Sequence, residues 1–380
     1  ARVRAVRAAD GTLLDRALVL AFPAPRSATG EDLVELHCHG GRAVIDAVEA
    51  ALLANPGVCR AEPGEFTRRA LVNGRIDLAE AQGLADLLAA ETERQRVAAI
   101  ATAEGRISRA VHAWMDRLSQ LAAQVEAMLD FADEDDVDDT GIDALRHDCG
   151  RLADEIARVL DAPPVERLRD GIRVVLAGPP NSGKSTLINL MSERDVAIVA
   201  PIAGTTRDRI EAPVTRNGIP FVLTDTAGLT DTDDVIERMG VERTVAAIAL
   251  ADILVWLDDQ PPQRDAIWVL PRADEGARGA MASSDRITVA RDDAESIARL
   301  WDAVVEHASA LIPRESDLSL DRRQRSACQT AADALRERAD DPLIIGESLR
   351  SASTALASIL GIDATEAMLD SLFGQFCIGK

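Results

Sequence analysis

The sequence is short of cysteine, of long apolar runs and of basic charge, and each shortage argues against a class of protein. Its five cysteines are widely spaced without a C-x-x-C pair, which argues against a disulfide framework or zinc site and favours a reducing, cytoplasmic location. No run of 18 apolar residues occurs, so no membrane association is expected. Acids outnumber bases by 64 to 42, for a net charge of −22, so RNA contact requires a local basic patch or a partner's surface.

What remains is a 380-residue chain of ordinary globular composition, long enough for two or three domains. Residues 1–74 alternate short apolar runs with turn signals and predict a small α+β domain, and the opening without methionine suggests a truncated start. In residues 75–165, apolar positions at 111–128 recur at steps of three and four, which predicts one face of a long amphipathic helix. The acidic run at 133–139 is expected to be a solvated loop.

Between residues 166 and 313 the period changes. Short apolar runs, typical of strands covered on both faces, alternate with helical segments and predict a parallel α/β sheet. The predicted strands are 174–177, 221–223, 253–257 and 267–270. Residues 314–380 are helical again. The simplest fold is therefore an α/β domain inserted into one discontinuous all-α helical domain, after the N-terminal α+β domain.

Residues 178–185 carry the strongest chemical signal. They read GPPNSGKS and fit the pattern G-x-x-x-x-G-K-[ST] between a predicted strand and a predicted helix. In that context backbone amides enclose phosphate, Lys184 meets the β and γ oxygens, and Ser185 binds Mg²⁺. The other predicted phosphate-site residues are Asn181, Ser182, Gly183 and Thr186. We therefore expect the chain to bind a nucleoside triphosphate in a P-loop.

Two further segments are typical of a switch GTPase of the Ras-like kind. The DTAG tetrapeptide at 225–228 follows a predicted strand, where an acid can hold hydrated Mg²⁺ and a glycine amide can sense the γ-phosphate. The segment 204–208 lies between the two motifs, and its Thr206 is suited to reach Mg²⁺ while the γ-phosphate is present. The predicted nucleotide ligands here are Thr205, Thr206, Asp225, Thr226, Ala227 and Gly228.

Base selection is predicted to come from Asp274, which follows a later strand. Guanine offers two donors, N1–H and the 2-amino group, to one carboxylate. The usual signature is Asn-Lys-x-Asp, but residues 271–274 read Pro-Arg-Ala-Asp. The asparagine contact is therefore lost, while the stem of Arg272 can still lie along the base. We expect guanine preference with lowered affinity.

Other segments carry a resemblance to one family. Residues 62–70 (EPGEFTRRA), 73–81 (NGRIDLAEA) and 376–380 (FCIGK) resemble the MnmE (TrmE) family of tRNA modification GTPases, and the likeness extends over essentially the whole chain. The family has a folate-binding, dimerising N-terminal domain, a discontinuous helical domain and an inserted GTPase domain.

That resemblance implies an activity and a set of partners. The chain would form a homodimer and join the flavoprotein MnmG, which carries FAD, in a heterotetrameric complex. Together they would add a carboxymethylaminomethyl or aminomethyl group to C5 of the wobble uridine, position 34, of certain tRNAs. The one-carbon unit would come from 5-formyl- or methylene-tetrahydrofolate, and GTP hydrolysis would depend on K⁺ and drive a conformational cycle.

The resemblance also implies roles in hydrolysis. A bound K⁺ can stabilise charge on the β/γ bridge, where other GTPases place an arginine finger. The residues implied to bind it are Asn181, Ala200, Ile202 and Thr205. Glu237 would orient the attacking water, although spacing alone fits a solvated helix acid.

Folate binding is implied for Glu35, Arg75 and Lys380. Cys377, near the basic Lys380, fits either a nucleophile or one-carbon carrier, or a small packed residue. The arginines of 322–325 form the densest basic patch of the C-terminal part. They fit either a contact with the partner or tRNA, or a solvated helix start.

Two other functions remain open at this point. A nucleotide-gated ribosome-assembly GTPase like Era or Der requires an RNA-binding module and a basic face after the GTPase domain, whereas this chain ends in a helical pattern. A scaffold that holds folate and partner but hydrolyses GTP poorly fits the altered residues 271–274 and the short segment between 257 and 267.

Overall fold

The computed structural model of the chain describes residues 1–130, 139–192, 211–226, 246–274, 285–362, 366–374 and 376. Most of the predicted acidic loop lies outside these ranges. Within them the chain forms two separate sheets, one of three strands and one of six.

The N-terminal segment is an antiparallel sheet with two helices. Its elements are β1 (Arg2–Arg7), β2 (Leu13–Phe22), β3 (Leu33–His37), α1 (Arg42–Leu53) and α2 (Glu65–Val72). The β1–β2 turn forms at Asp10–Gly11, where the Asp10 carboxylate accepts a hydrogen bond from the Thr12 amide at 2.9 Å and Gly11 takes φ +89°. The predicted α+β composition is observed here.

A helical unit is built from two distant stretches of chain. The first contributes α3 (Leu78–Ala89), α4 (Glu93–Ala103), α5 (Arg106–Asp130), α6 (Asp139–Arg158) and a 3-10 turn (Val159–Asp161). The second contributes α10 (Arg322–Leu335), α11 (Pro342–Leu360) and α12 (Glu366–Phe373). The predicted apolar face of α5 is buried, with Trp114 and Leu118 in one core shared with α6, α10 and α11. The two halves are thus held together by apolar burial.

One helix in the described part of the chain, α11, is long and apolar enough to cross a membrane by length and composition alone. Here its residues Ile345, Leu349 and Leu356 are buried in the helical core. A core helix passes the same composition test, so this feature is weak evidence for a membrane span.

The α/β unit lies between the two helical stretches. Its strands are β4 (Ile172–Ala177), β5 (Glu211–Arg216), β6 (Ile219–Asp225), β7 (Ile253–Trp256), β8 (Ile267–Pro271) and β9 (Ile287–Val289). Its helices in the described ranges include α7 (Glu166–Asp170), α8 (Lys184–Ser192) and α9 (Ala294–Ser309). The sheet order is β5-β6-β4-β7-β8-β9, parallel except for β5. The carboxyl ends of the parallel strands therefore meet at one edge, where ligands bind in such sheets.

Candidate functional site

The 178–183 loop joins β4 to α8 at this edge. At Gly178 a Cβ would lie 2.5 Å from the carbonyl oxygen of Leu257, so the close approach of the end of β7 requires glycine. Asn181 takes φ +62°, a conformation that asparagine tolerates better than most residues. The loop is therefore shaped by backbone contacts with the neighbouring strand.

Lys184 begins α8 and turns its ammonium back into the loop. Only 4% of the residue is exposed, and Nζ donates to the carbonyl oxygens of Gly178 and Pro179, each at 2.9 Å. Burial lowers the pKa of this ammonium below its ordinary value, while the negative charge of Asp225 opposes the change. The loop thus holds a desolvated cation against neutral oxygens.

A hydroxyl and a carboxylate meet beside this cation. Asp225, at the end of β6, is 2% exposed and accepts a hydrogen bond from the Ser185 hydroxyl. Thr226 is also buried and donates to the carbonyl oxygen of Leu176 at 2.9 Å, which ties the end of β6 to β4. The structure therefore brings together two oxygen groups of the kind that Mg²⁺ prefers.

The turn after β8 lies against the same loop. The guanidinium of Arg272 donates to the carbonyl oxygen of Asn181 at 3.3 Å, and Arg272 itself takes φ +57°. The Cβ of Pro271 lies 3.8 Å from the position a Cβ would take at Gly183. Asp274 is exposed at this edge of the sheet. Sequence reasoning missed the link from Arg272 to Asn181, because the two residues are 91 positions apart and no local pattern connects them.

Several predicted site residues lie outside the described residues. They are Ala200, Ile202, Thr205, Thr206, Ala227, Gly228, Glu237, Cys377 and Lys380. The loop residues Ser182 and Gly183 and the helix residue Thr186 are described, with Ser182 buried and Thr186 exposed.

The predicted folate residue Glu35 lies in the N-terminal segment, and Arg75 directly follows that segment. Glu35, on β3, accepts a hydrogen bond from His37 at 2.9 Å, and the stem of Arg75 lies beside Gly30. Within the described ranges no hydrogen bond or ion pair joins Glu35 to Arg75. The described residues therefore show no direct link between Glu35 and Arg75.

The C-terminal helix packs on the N-terminal segment. The guanidinium of Arg68, on α2, pairs with the Asp370 carboxylate of α12 at 2.8 Å. A Cβ at Gly64 would lie 2.6 Å from the carbonyl oxygen of Phe373. The helix α12 therefore lies beside α2, which ends three residues before Arg75.

The sheet order, the loop after β4 and the buried acid at the end of β6 together define a P-loop nucleotide-binding domain of the switch GTPase class. Comparisons with known proteins identify the family within this class. Residues 1–75 match the GTP-binding protein TrmE N-terminus, and residues 78–377 match the MnmE helical domain. The chain belongs to the MnmE family of tRNA modification GTPases.

Individual relatives agree with the family. The tRNA modification GTPase MnmE of Erythrobacter litoralis is 51% identical, covering 100% of this chain and 90% of the relative. That of Sphingopyxis alaskensis is 49% identical, covering 98% and 92%. The chain is thus a GTP hydrolase of tRNA modification.

Among solved structures, the G domain of the FeoB iron transporter of T. maritima is 22% identical. It covers 36% of this chain and 98% of its own length, with a TM-score of 0.27, and carries no argument at that score.

Proposed function

We propose that the chain binds GTP in the 178–185 loop and couples its hydrolysis to modification of the wobble uridine of tRNA. The observation that carries this proposal is the buried ammonium of Lys184. Its hydrogen-bond partners among the described residues are two carbonyl oxygens and, at 3.5 Å, the Ser182 hydroxyl, all uncharged. A cation so placed gains most from an incoming phosphate, because a buried charge is costly until it is paired.

Mg²⁺ fits the paired oxygens of Ser185 and Asp225, with Thr206 as a further proposed ligand. When bound, the ion would supply positive charge that stabilises the phosphates during hydrolysis. Ser185, at the start of α8, would offer its hydroxyl as a ligand. Asp225 is fixed at the end of β6 and orients that hydroxyl through their hydrogen bond.

K⁺ is proposed to bind beside the phosphates at Asn181, together with oxygens of Ala200, Ile202 and Thr205. The backbone carbonyl of Asn181 accepts from Arg272, whereas its side-chain amide makes no hydrogen bond within the described residues. That amide oxygen remains available to a cation, which would stabilise charge on the β/γ bridge. Glu237 is the proposed residue that orients the attacking water.

Guanine is proposed to bind at Asp274, which follows the end of β8. The link between Arg272 and Asn181 supports this, because it holds the base-side turn against the phosphate loop despite the missing asparagine. The other predicted nucleotide contacts are Ser182, Gly183, Thr186, Thr205, Thr226, Ala227 and Gly228.

The remaining activity rests on family membership and on the packing of α12 against α2. We propose 1–74 as the folate-binding and dimerising domain, 75–165 with 314–380 as the helical domain, and 166–313 as the GTPase domain.

Folate would be bound by Glu35, Arg75 and Lys380, with Cys377 a lesser candidate for chemistry on the uridine. The partners would be MnmG with its FAD, and tRNA, in the cytoplasm. The ion pair between Arg68 of α2 and Asp370 of α12 supports a shared pocket, because Asp370 lies ten positions before Lys380 in the sequence.

A second candidate function is a scaffold with slow GTP turnover, and Pro271 favours it. This residue has no amide side chain to fix the base, so a scaffold that binds GTP weakly and hydrolyses it slowly fits the same geometry. Measured guanine nucleotide affinity and turnover separate the two.

The experiment compares GTP hydrolysis by the full chain in KCl and in NaCl. We expect hydrolysis to be at least roughly tenfold faster in KCl, and Asn181→Ala to abolish the difference. Asn217→Ala is the matched control, since Asn217 also has positive φ, +51°, but lies in the β5–β6 turn at the far end of β6 from Asp225. Equal rates in both salts for the unmodified chain would refute the K⁺ assignment. If the chain bound no guanine nucleotide, the assignment of the 178–185 loop as a GTP site would be wrong.

A further inference from the structure

The helical unit carries an arginine-lined groove that none of these roles uses. Two open cavities of about 630 and 770 Å³ adjoin along α6 and share Arg158 in their walls. The arginines that line them are Arg117, Arg151, Arg158, Arg314 and Arg336. The groove therefore runs from α5 and α6 to the segment that follows α9.

The charge of this groove departs from that of the chain. Its carboxylates are Asp154, Glu155, Asp161 and Asp317, so five bases face four acids. The whole chain has 42 bases to 64 acids. The groove thus has a small net positive charge, whereas the net negative charge of the whole chain repels polyanions.

Two of the arginines are already paired. Arg117 forms an ion pair with Glu155, and Arg336 pairs with Asp154 at 2.8 Å. These pairs neutralise two of the four carboxylates, so three arginines, Arg151, Arg158 and Arg314, remain against Asp161 and Asp317.

Arg151, Arg158 and Arg314 are more available. The nearest carboxylate to Arg151 is Asp148 at 3.7 Å, and Arg158 donates to a backbone carbonyl of its own helix at 3.2 Å. The side chain of Arg314 forms no hydrogen bond or ion pair within the described residues. These three guanidinium groups retain donors for an external anion.

The basic patch predicted at 322–325 is less suited to that task. Arg323 is half-buried and donates to the carbonyl oxygen of Ser358 at 2.7 Å. Arg325 donates to the carbonyl oxygens of Leu160 and Ala162 at 2.7 and 2.6 Å. Both side chains join helices within the protein, which leaves Arg322 as the exposed member.

We propose that the groove binds the phosphate backbone of tRNA through Arg151, Arg158 and Arg314. This inference rests on the proposed tRNA modification function. Arg151 and Arg158 lie seven residues apart on α6, hence on one face and about 10 Å apart along the axis. Guanidinium groups bind phosphate with paired donors, and RNA backbone contacts require charge rather than an apolar surface. An acidic protein is a poorer occupant, because charged residues are depleted at the centre of protein interfaces.

The test measures tRNA affinity of the full chain by fluorescence anisotropy between about 50 and 200 mM KCl. The variant is Arg151→Ala, Arg158→Ala and Arg314→Ala together. Each lost phosphate contact lowers the slope of log affinity against log salt by about one. We expect a slope lower by about two to three, and affinity at low salt reduced by roughly tenfold or more.

The control variant removes three exposed arginines elsewhere, Arg96, Arg299 and Arg350, and should bind tRNA like the unmodified chain. Asp161→Asn should bind more tightly by roughly two- to threefold, because a repelling carboxylate in the groove is removed. All variants should keep the GTP hydrolysis rate, which shows that they fold.

Each of the following results would contradict one of the proposals. An unchanged slope in the triple variant, or an equal loss in the control, overturns the proposal. Loss of flavoprotein binding with tRNA affinity retained would make the groove a protein-docking surface and overturn it too. If the chain hydrolyses GTP but binds no tRNA, the groove proposal is wrong and the proposed nucleotide site remains. If the chain binds tRNA in a salt-dependent way but binds no guanine nucleotide, the proposed nucleotide site is wrong instead.

Discussion

Lys184 in the nucleotide loop is buried, and Asp86 at the junction of the helical and α/β units is partly buried, so both ionisable groups are desolvated to some extent. Burial lowers the pKa of Lys184, and it raises the pKa of Asp86 to about 6. The surroundings differ. Lys184 is hydrogen-bonded to neutral carbonyl oxygens of the phosphate loop, whereas Asp86 and Arg169 line a small cavity between α3, α4 and α7. Each group has one opposite charge nearby, Asp225 for Lys184 and Arg169 for Asp86, so the nearby charge does not distinguish them. What marks Lys184 as a ligand site is its position in a glycine-rich loop with neutral hydrogen-bond partners.

The largest effect is expected when the first of these charges is removed. Lys184→Ala should weaken GTP binding by about 100-fold, because the charge-assisted bonds to phosphate are lost. The free energy of unfolding without nucleotide should not fall, since a desolvated ammonium is removed with its cost. Calorimetric titration and urea unfolding measure the two quantities. A fall in stability with affinity retained would reverse the assignment.

A smaller effect is expected at the turn after β8, residues 271–274, where guanine is proposed to bind. Arg272→Ala should weaken GDP binding by roughly tenfold, because the turn loses its bond to Asn181 and the stem beneath the base. Arg299→Ala, an exposed arginine on α9, is the matched control and should leave the affinity unchanged. Equal GDP affinity in both variants would show that Arg272 does not position the turn.

The phosphate end of this site was easier to predict than the base end. The strand, the glycine-rich loop and the helix start at Lys184 are adjacent in sequence, so local pattern alone placed them. The bond from Arg272 to Asn181 depends on the sheet bringing β8 beside β4, which sequence periodicity does not reveal. The predicted basic patch at 322–325 shows the same limit. Its composition was visible, but the carbonyl partners of Arg323 and Arg325 come from distant elements.

The long helix α5 and the insertion of the α/β unit were predictable for a related reason. A regular apolar period over many residues leaves few alternatives, and its change near residue 166 marks a change of fold class. The pairing of α2 with α12 through Arg68 and Asp370 was not predictable, because it joins the two ends of the chain.

An effect on stability alone, with no effect on nucleotide binding, is expected at Asp86. Its carboxyl pKa, about 6, exceeds the ordinary 3.8 because burial outweighs the attraction of Arg169, and the nearby Asp321, Asp170 and Glu166 raise it further. Its contribution to stability is therefore full below pH 3.8 and is lost as pH rises through about 6. Asp86→Asn should gain about 1–2 kcal/mol over the unmodified chain at pH 7.5 and nothing at pH below 4, with GTP affinity unchanged.

Urea unfolding across this pH range measures the difference. Asp116→Asn, an exposed acid on α5, is the control and should give no pH-dependent gain. A constant difference at all pH values would contradict the account of Asp86.

The most direct measurement of the nucleotide assignment is a base swap at Asp274. Guanine presents two donors to its carboxylate, whereas xanthine presents an oxygen in place of the 2-amino group. Asp274→Asn should therefore lose GDP affinity by roughly 100-fold and gain affinity for xanthosine diphosphate, as titration of both nucleotides would show. If the variant binds GDP as tightly as the unmodified chain does, Asp274 does not read the base, and the pocket assigned to guanosine lies elsewhere.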